Sequence, residues 1–416
     1  MKAHTVSIRT IASTLCLFFI STQTFSAAFG VAENSALGLG NAFAGGAASA
    51  EDASTVWYNP AGMTRIKGNQ LVVGGHLISP SFDFKDEGST RVSGAAVGGD
   101  SSNDGGRVAF VPNLYYVHSL SDSLKLGLGV TAPYGLATKY NDDWAGRYQA
   151  IESEMITVNI NPSIAWQTTP ALSLGFGINV QYIEATLNNR VDLGGPEGFA
   201  HLEADDISAG YNLGALYQLS KDTRVGVSYR SEIKHQLKGD ADFDAPVPFP
   251  DSHITAKADL PASASISIHH QYNPKVAIMA DASWVGWSSV PELTISYAAP
   301  PTTTSEELRL KDTVRLSVGS TYSTDGPWTF RTGLAYDEGA ARNQSSRSPR
   351  FPDNDRYWLS FGASYQLADN LSIDAAYAHI FVPDTKINRP GAGLSGVIGE
   401  YESSADILSA QLRWDL

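Results

Sequence analysis

Cysteine is almost missing from this chain: Cys16 is the only one among 416 residues. A pair of cysteines is therefore unavailable for a disulfide, and a cysteine cluster is unavailable for a metal. No run of 18 apolar residues occurs after residue 26, which excludes a spanning helix, since that needs roughly 20. Positive charge is also short, with 29 Lys and Arg against 43 Asp and Glu and no basic cluster, so nucleic acid is excluded as a partner. The HExxH, G-x-S-x-G and P-loop patterns are absent, and Gly38-Leu39-Gly40 lacks the preceding strand and the third glycine of a dinucleotide fingerprint. His269 and His270 are adjacent within an alternating run, so they point to opposite faces and cannot share one metal. The expectation is a protein that is not an enzyme and carries no cofactor or metal. A barrel hydrolase with Ser and His on separate strands is the alternative that motif inspection leaves open.

What is present begins with an export signal. Lys2, His4 and Arg9 precede the apolar run Ile11 to Ile20, and Thr24 and Ser26 stand at minus three and minus one before Ala27. An apolar run of about 10 residues is too short to anchor the chain. Residues 1–26 are read as a cleaved signal peptide, and Cys16 leaves with it. Cleavage removes Lys2 and Arg9 but no acid, leaving 27 basic against 43 acidic residues, a net charge of −16. That acidity is assigned to solvated loops and turns.

From residue 69 onward one pattern recurs: apolar/polar alternation, a tight polar turn, alternation again, then a longer polar loop. Met155 to Trp166 sets Ile156, Val158, Ile160, Pro162, Ile164 and Trp166 against Thr157, Asn159, Asn161 and Ser163. Leu172 to Tyr182 repeats it after the turn Thr168-Thr169-Pro170-Ala171. Strands are expected near 69–84, 107–120, 124–135, 154–167, 171–191, 206–219, 223–243, 254–271, 276–296, 306–322, 328–338, 356–367, 371–382 and 403–416, fourteen in all. One face of these strands is small and polar, so a soluble sandwich would lack half its core. Aromatic residues such as Tyr211, Tyr229, Trp284, Trp328, Tyr365 and Trp414 share the apolar face and suit interfacial girdles. In an exported chain this composition predicts an all-β, transmembrane, 14-stranded antiparallel barrel over 67–416. An even strand count puts both ends on the periplasmic side, and closure is required because open edges cannot persist in lipid.

Ahead of the strands, Ser35 to Met63 is rich in Gly, Ala and Ser and has little side-chain volume for a core of its own. Residues 27–66 are therefore read as a plug, or hatch, inside the barrel. Asn59-Pro60-Ala61 closes that segment. Proline fixes the backbone and asparagine can bond main-chain groups, so by spacing alone the motif is either a hinge of the plug or a turn before the first strand. The third predicted strand meets Ala132-Pro133-Tyr134-Gly135, where proline removes a ladder donor; this is either a bulge or the strand's end.

The segment Ala27 to Met63, the strand Val111 to Val117, the stretch Tyr134 to Gly146 and Pro352 to Ser360 together resemble the FadL/TodX family of outer-membrane hydrophobic-substrate transporters, over essentially the whole mature chain. The resemblance implies residence in the outer membrane of a Gram-negative bacterium and uptake of a fatty acid, an alkane or an aromatic hydrocarbon. It also implies a hatch that gates passage through Asn59, Pro60 and Ala61, and a lateral opening at an inward kink of the third strand, here Ala132, Pro133, Tyr134 and Gly135. Phe29 takes the position at which the family contacts an apolar ligand; an aromatic near a terminus otherwise serves packing. A carboxylated substrate would want a lumen cation, for which Arg190, Arg230, Arg315, Arg331 and Arg356 are candidates, with Arg190 and Arg356 carried as ligand contacts. Arg190 falls on the outward parity of its strand and needs a bulge to serve, and the alternative for each arginine is a salt bridge with Asp281, Asp374 or another acid. Expected partners are outer-membrane lipid and lipopolysaccharide and the barrel-insertion machinery, and the expected state is a monomer. The competing function is a polar-solute porin or structural barrel without apolar sites. The loops near 194–204 and 244–253 are expected to be short, with Pro246 to Pro250 as a candidate apolar entrance, and the final residue is Leu416 rather than phenylalanine.

Overall fold

The computed structural model describes residues 28–246, 250–390 and 395–416. The expected signal peptide, Ala27 and the central residues Val247, Pro248 and Phe249 of the expected entrance lie outside the described residues.

Among the described residues, twenty strands make one antiparallel sheet that closes on itself as a fourteen-position barrel. They begin with β1 (Gln70–Asp86), the short loop strand β2 (Ser102–Asp104), β3 (Ala109–Ser119), β4 (Leu124–Thr131), β5 (Gly135–Lys139), β6 (Glu152–Gln167), β7 (Leu172–Asp192) and β8 (Glu197–Gln218). The wall continues through β9 (Thr223–Arg230), β10 (Ile233–Asp244), β11 (Ser252–Leu260), β12 (Ser263–Asn273), β13 (Val276–Val285) and β14 (Glu292–Ala298). It ends with β15 (Pro301–Glu307), β16 (Thr313–Ser323), β17 (Trp328–Asp337), β18 (Arg356–Ala368), β19 (Leu371–Arg389) and β20 (Val397–Asp415). Five pairs, β4–β5, β9–β10, β11–β12, β13–β14 and β15–β16, each share one wall position. β1 pairs β20 without a break from Gln70↔Asp415 to Asp86↔Gly399, so first and last strands close the sheet on itself.

Period-two alternation decides which residues face lipid. On β6, Ile160 is 40% and Trp166 57% exposed, while Asn159 and Asn161 are 1% exposed and point inward. Asn161 donates to Asn212 at 2.9 Å, Asn159 to Asn179 at 3.1 Å and Asn179 to Asn212 at 3.1 Å, so the polar interior hydrogen-bonds to itself across three strands. Outward aromatics pair along the barrel rims, Trp328 with Tyr365 at 4.7 Å and Tyr336 with Tyr357 at 5.4 Å between ring centroids.

Residues 28–66 fold as α1 (Ala36–Gly40), α2 (Gly46–Ser49), α3 (Thr55–Tyr58) and a 3-10 helix over Pro60–Arg65. They pack against strands all round the barrel: α1 on β18, β19 and β20, α2 on β9 and β12, and the 3-10 helix on β6, β7 and β8. Ser35 caps α1 by accepting from Gly38 N–H, and Asn59 caps the 3-10 helix by accepting from Ala61 N–H at 3.0 Å.

Several strand limits differ from expectation. β8 starts at Glu197 rather than 206, so most of the expected 194–204 loop is strand. β19 runs to Arg389 and β20 starts at Val397, beyond the expected 382 and 403. The expected 276–296 strand is broken by a 3-10 turn, Trp287–Ser289, and the expected 306–322 strand divides between β15 and β16.

Candidate functional site

The wall changes character between β4 and β5. β4 pairs β6 up to Thr131↔Asn159 and β5 resumes at Gly135↔Ile156, so Ala132, Pro133 and Tyr134 face only Thr157 and Val158. The extra residue makes a bulge, as the absence of a proline N–H favours. Thr157 compensates with its side chain: its hydroxyl accepts from Tyr134 N–H at 3.0 Å and donates to Tyr134 C=O at 2.6 Å. On the other side, residues 109–113 of β3 pair with β1 but have no ladder partner on β4 or β5. The wall closes again above this gap at the Gly106↔Thr138 bridge.

The N-terminal segment pairs with the strand on one side of that gap. Val31 N–H donates to Pro133 O at 2.9 Å and Gly135 N–H donates to Phe29 O at 2.8 Å, flanking an antiparallel Gly30↔Tyr134 bridge. The Phe29 ring packs at 4.6 Å against Trp287, 5.9 Å against Phe351 and 6.5 Å against Tyr134. Trp287 reaches Phe29 because the 3-10 turn between β13 and β14 brings it inward, where it is 1% exposed. The Tyr134 hydroxyl crosses to the break between β11 and β12 and donates to Pro261 O at 3.0 Å. Two features of the sequence, Phe29 and the Ala132–Gly135 irregularity, thus form one contact.

Among the described residues, three cavities lie at or above the Phe29 contact. The outermost, about 760 Å³, has apolar walls including Leu187, Leu202, Leu293 and Ile295, with Arg309, Arg342, Arg350 and Arg389 among its lining. A second of about 110 Å³ is lined by Leu136, Met155, Ile183, Leu237 and Leu260 and reaches Phe29; it shares Leu187, Leu202, Ile295 and Arg350 with the first. A third of about 190 Å³ touches Val31, Pro133, Tyr134 and Trp287 and is lined by Ser228, Ser265, Ser283, Arg230 and Arg315. Phe29 and its aromatic partners separate the apolar cavity from the hydroxyl-rich one.

Glu306 organises the cations of the outer cavities. Its carboxylate pairs with Arg350 at 3.3 Å and Arg389 at 3.3 Å and accepts from Ser348 at 2.8 Å. Arg350 also donates to Ser153 at 2.9 Å. Two guanidiniums against one carboxylate leave a net positive, largely dry site beside apolar walls, where the low dielectric strengthens attraction for an anion.

The expected arginines are placed differently. Arg356 is 1% exposed and paired with Asp353 at 3.1 Å and Asp337 at 3.5 Å, and it lines none of the three cavities. Arg190 pairs with Asp142 at 3.6 Å. The β7–β8 register runs unbroken from Leu172 to Asp192, so the bulge Arg190 needed to face the lumen is absent. The other lumen arginines hold the N-terminal segment. Arg230 stacks on Trp57 at 3.6 Å and donates to Trp57 O at 3.0 Å, Arg315 donates to Ala42 O at 2.8 Å, and Arg331 pairs with Glu51 at 3.0 Å. Arg224, not singled out by sequence, donates to Ala48 O and Ser49 O.

Asn59-Pro60-Ala61 sits in a socket of the wall. Asn59 donates to Ala47 O at 2.6 Å and Ala215 O at 3.0 Å. Its seat is the cross-strand glycine pair Gly175↔Gly214: a Cβ on Gly175 would lie 2.3 Å from Ala61 N, and one on Gly214 2.0 Å from Asn59 Oδ1. Close backbone approach is what these two glycines permit. The motif is therefore not a free turn ahead of β1. His76 bridges Ser409 at 2.5 Å and Asn113 at 2.7 Å, the order of groups a hydrolase would use, but all three are buried and none lines the three cavities.

The family model for outer membrane protein transport proteins (OMPP1/FadL/TodX) matches residues 17–416. The chain belongs to this family. It is 31% identical over 413 residues to the long-chain fatty acid transport protein of Escherichia coli K12, covering 89% of this chain and 91% of that protein. It is 31% identical over 402 residues to outer membrane protein P1 of Haemophilus influenzae, covering 85% and 86%. Among solved structures, a Pseudomonas aeruginosa FadL homologue superposes with a TM-score of 0.89 at 25% identity, covering 94% of this chain and all of that one. The Pseudomonas putida toluene transporter TodX shares the fold, with a TM-score of 0.72 at 17% identity, covering 95% and 99%. Family membership and the closed barrel place the protein in the outer membrane of a Gram-negative bacterium as a transport protein.

Proposed function

We propose that this protein takes up long-chain fatty acids and similar apolar molecules and delivers them sideways into the membrane. The observation that supports this reading is the backbone pairing of Phe29–Val31 with Pro133–Gly135, beside the stretch of β3 that has no ladder partner on β4 or β5. A solute captured in the 760 Å³ cavity would place a carboxylate between Arg350 and Arg389, displacing Glu306, and extend its chain along Leu187, Leu202 and Ile183 to end on Phe29. Withdrawal of Phe29 would open the path to the gap between β3 and β5. Release into lipid avoids returning apolar surface to water, at about 25 cal/mol per Å². The relatives named for long-chain fatty acid transport support a carboxylated cargo, and the arginine pair gives it a physical basis.

The reading is tested by planar-bilayer recording together with uptake of labelled palmitate in cells carrying this protein as their only such transporter. Expected are almost no steady ion current and protein-dependent palmitate uptake. Steady, large-conductance channels with no palmitate uptake would establish a polar-solute porin instead.

A further inference from the structure

Glu33 lies two residues beyond Val31 on the segment that pairs with Pro133–Gly135. It is fully buried, and among the described residues neither carboxyl oxygen has a hydrogen-bond partner beyond the pull of the residue's own backbone N–H. The charged and titratable groups around it come from four elements: Arg315 on β16, Asp337 on β17, Arg356 on β18 and Tyr58 on α3. Arg356 is paired with Asp337 and Asp353, and Arg315 with Ala42 O and the rings of Phe43 and Trp358; the Nε of each makes no hydrogen bond, and neither guanidinium is within ion-pair distance of Glu33. Buried polar groups in folded proteins nearly always find partners, and one left without a partner weakens the conformation that strands it. Here that conformation is the seated position of Phe29–Val31.

We propose that Glu33 is the positioning residue that keeps the Phe29–Val31 closure reversible: seating the segment against Pro133–Gly135 strands the Glu33 carboxyl, and withdrawing the segment returns it to hydrogen-bonding partners. This rests on the reading that Phe29–Val31 closes a side opening. It adds that the closure is held weak by a built-in polar defect, so that a solute pressing on Phe29 has little to overcome.

Burial pushes the Glu33 carboxyl from its ordinary 4.5 up to about 8, against the lowering pull of its own backbone N–H, Arg315 and Arg356 and with Asp337 adding to the rise. The seated state therefore binds the proton more tightly than the withdrawn state. Closure is fully stable below about 4.5 and loses stability as pH rises towards about 8, the opening constant growing by up to tenfold per pH unit across that window.

The test is hydrogen exchange at the Val31 and Gly135 amides of the full mature chain in detergent micelles, between about pH 5 and pH 8, corrected for intrinsic exchange. In the wild type, protection should fall as pH rises. Glu33→Gln, isosteric and without a charge, should flatten the profile and raise protection at the upper pH at least tenfold, while Glu33→Asp should keep the slope. Glu33→Met provides a second uncharged variant, with barrel assembly checked by heat-modifiable gel mobility. A wild-type profile independent of pH, or a Glu33→Gln profile with the wild-type slope, would overturn the proposal, the latter assigning the effect to another group such as a histidine. Absence of protection at Val31 and Gly135 at every pH would instead overturn the closure itself.

Discussion

Gly175→Ala isolates the socket that seats Asn59-Pro60-Ala61. The added Cβ would lie 2.3 Å from Ala61 N, 2.5 Å from Pro60 C and 2.9 Å from Ala61 Cα, all backbone atoms that no rotamer change can move aside. Since ordinary contact begins at 3.4 Å, the 3-10 helix over Pro60–Arg65 must retreat by about 1 Å. That displacement breaks or stretches three bonds to the wall: Asn59 to Ala215 O at 3.0 Å, Thr64 Oγ1 with Ser173 Oγ at 2.7 Å and Arg65 to Gln218 Oε1 at 3.1 Å. At about 0.5–1.5 kcal/mol net for each, the seated state loses about 2–4 kcal/mol, a shift of about 30-fold to several hundred-fold in its equilibrium. The barrel does not share this loss, because alanine suits a strand interior better than glycine by about 0.5–1 kcal/mol. Hydrogen exchange across Thr55 to Ile66 should accelerate accordingly and tryptic cleavage after Arg65 should speed up, with unchanged heat-modifiable mobility. Gly195→Ala, with no atom within 4 Å of the added Cβ, is the control and should behave as wild type. Wild-type exchange over 55–66 in Gly175→Ala would refute the socket.

Two further perturbations address the bulge and the arginine pair. Thr157→Val removes the hydroxyl that serves both Tyr134 N–H and Tyr134 C=O, leaving buried groups that cost about 1–3 kcal/mol each. Faster exchange at Gly135 with an intact barrel is the expected outcome, read by mass spectrometry of the 132–136 peptide. Arg350→Met should weaken palmitate binding about tenfold or more, a charged hydrogen bond being worth about 1.5–3 kcal/mol, while leaving hexadecane binding unchanged. Glu306→Gln removes the acid that occupies Arg350 and Arg389 and should tighten palmitate binding several-fold, both effects measured by ligand fluorescence quenching in micelles.

The strand count was legible because lipid and lumen impose opposite chemistries on alternate residues, as Ile160 and Asn161 show. Where a strand leaves the bilayer that contrast disappears. The outward residues His201, Glu203 and Asp205 of β8 are as polar as a loop, which is why its start was placed at 206 rather than Glu197. β19 and β20 overrun their expected ends in the same way. An irregularity that breaks a local rule was also readable: Pro133 within an alternating run stands where the structure has a bulge. Contacts made by distant residues were not. Nothing local ties Gly175 to Gly214, and the partnership of Glu306 with Arg350 and Arg389 follows no spacing. Parity put Arg230, Arg315 and Arg331 in the lumen, yet only the folded N-terminal segment shows that Trp57 O, Ala42 O and Glu51 occupy them. The polar parity of Arg356 was informative too, but Asp353 and Asp337 claim it before any cargo can.

The central claim is that passage requires Phe29–Val31 to leave Pro133–Gly135, and a crosslink tests it most directly. Gly30 and Tyr134 stand directly opposite in a pair without mutual hydrogen bonds, the arrangement in which antiparallel side chains come closest and the Cβ separation suits a disulfide. Cys16 is the only native cysteine and precedes the expected cleavage site, so Gly30→Cys combined with Tyr134→Cys would introduce the only pair in the mature chain. Oxidised, this variant should assemble normally and take up no palmitate; reduction should restore uptake. Equal uptake by the oxidised and reduced forms, with the disulfide verified by mass spectrometry, would contradict the account.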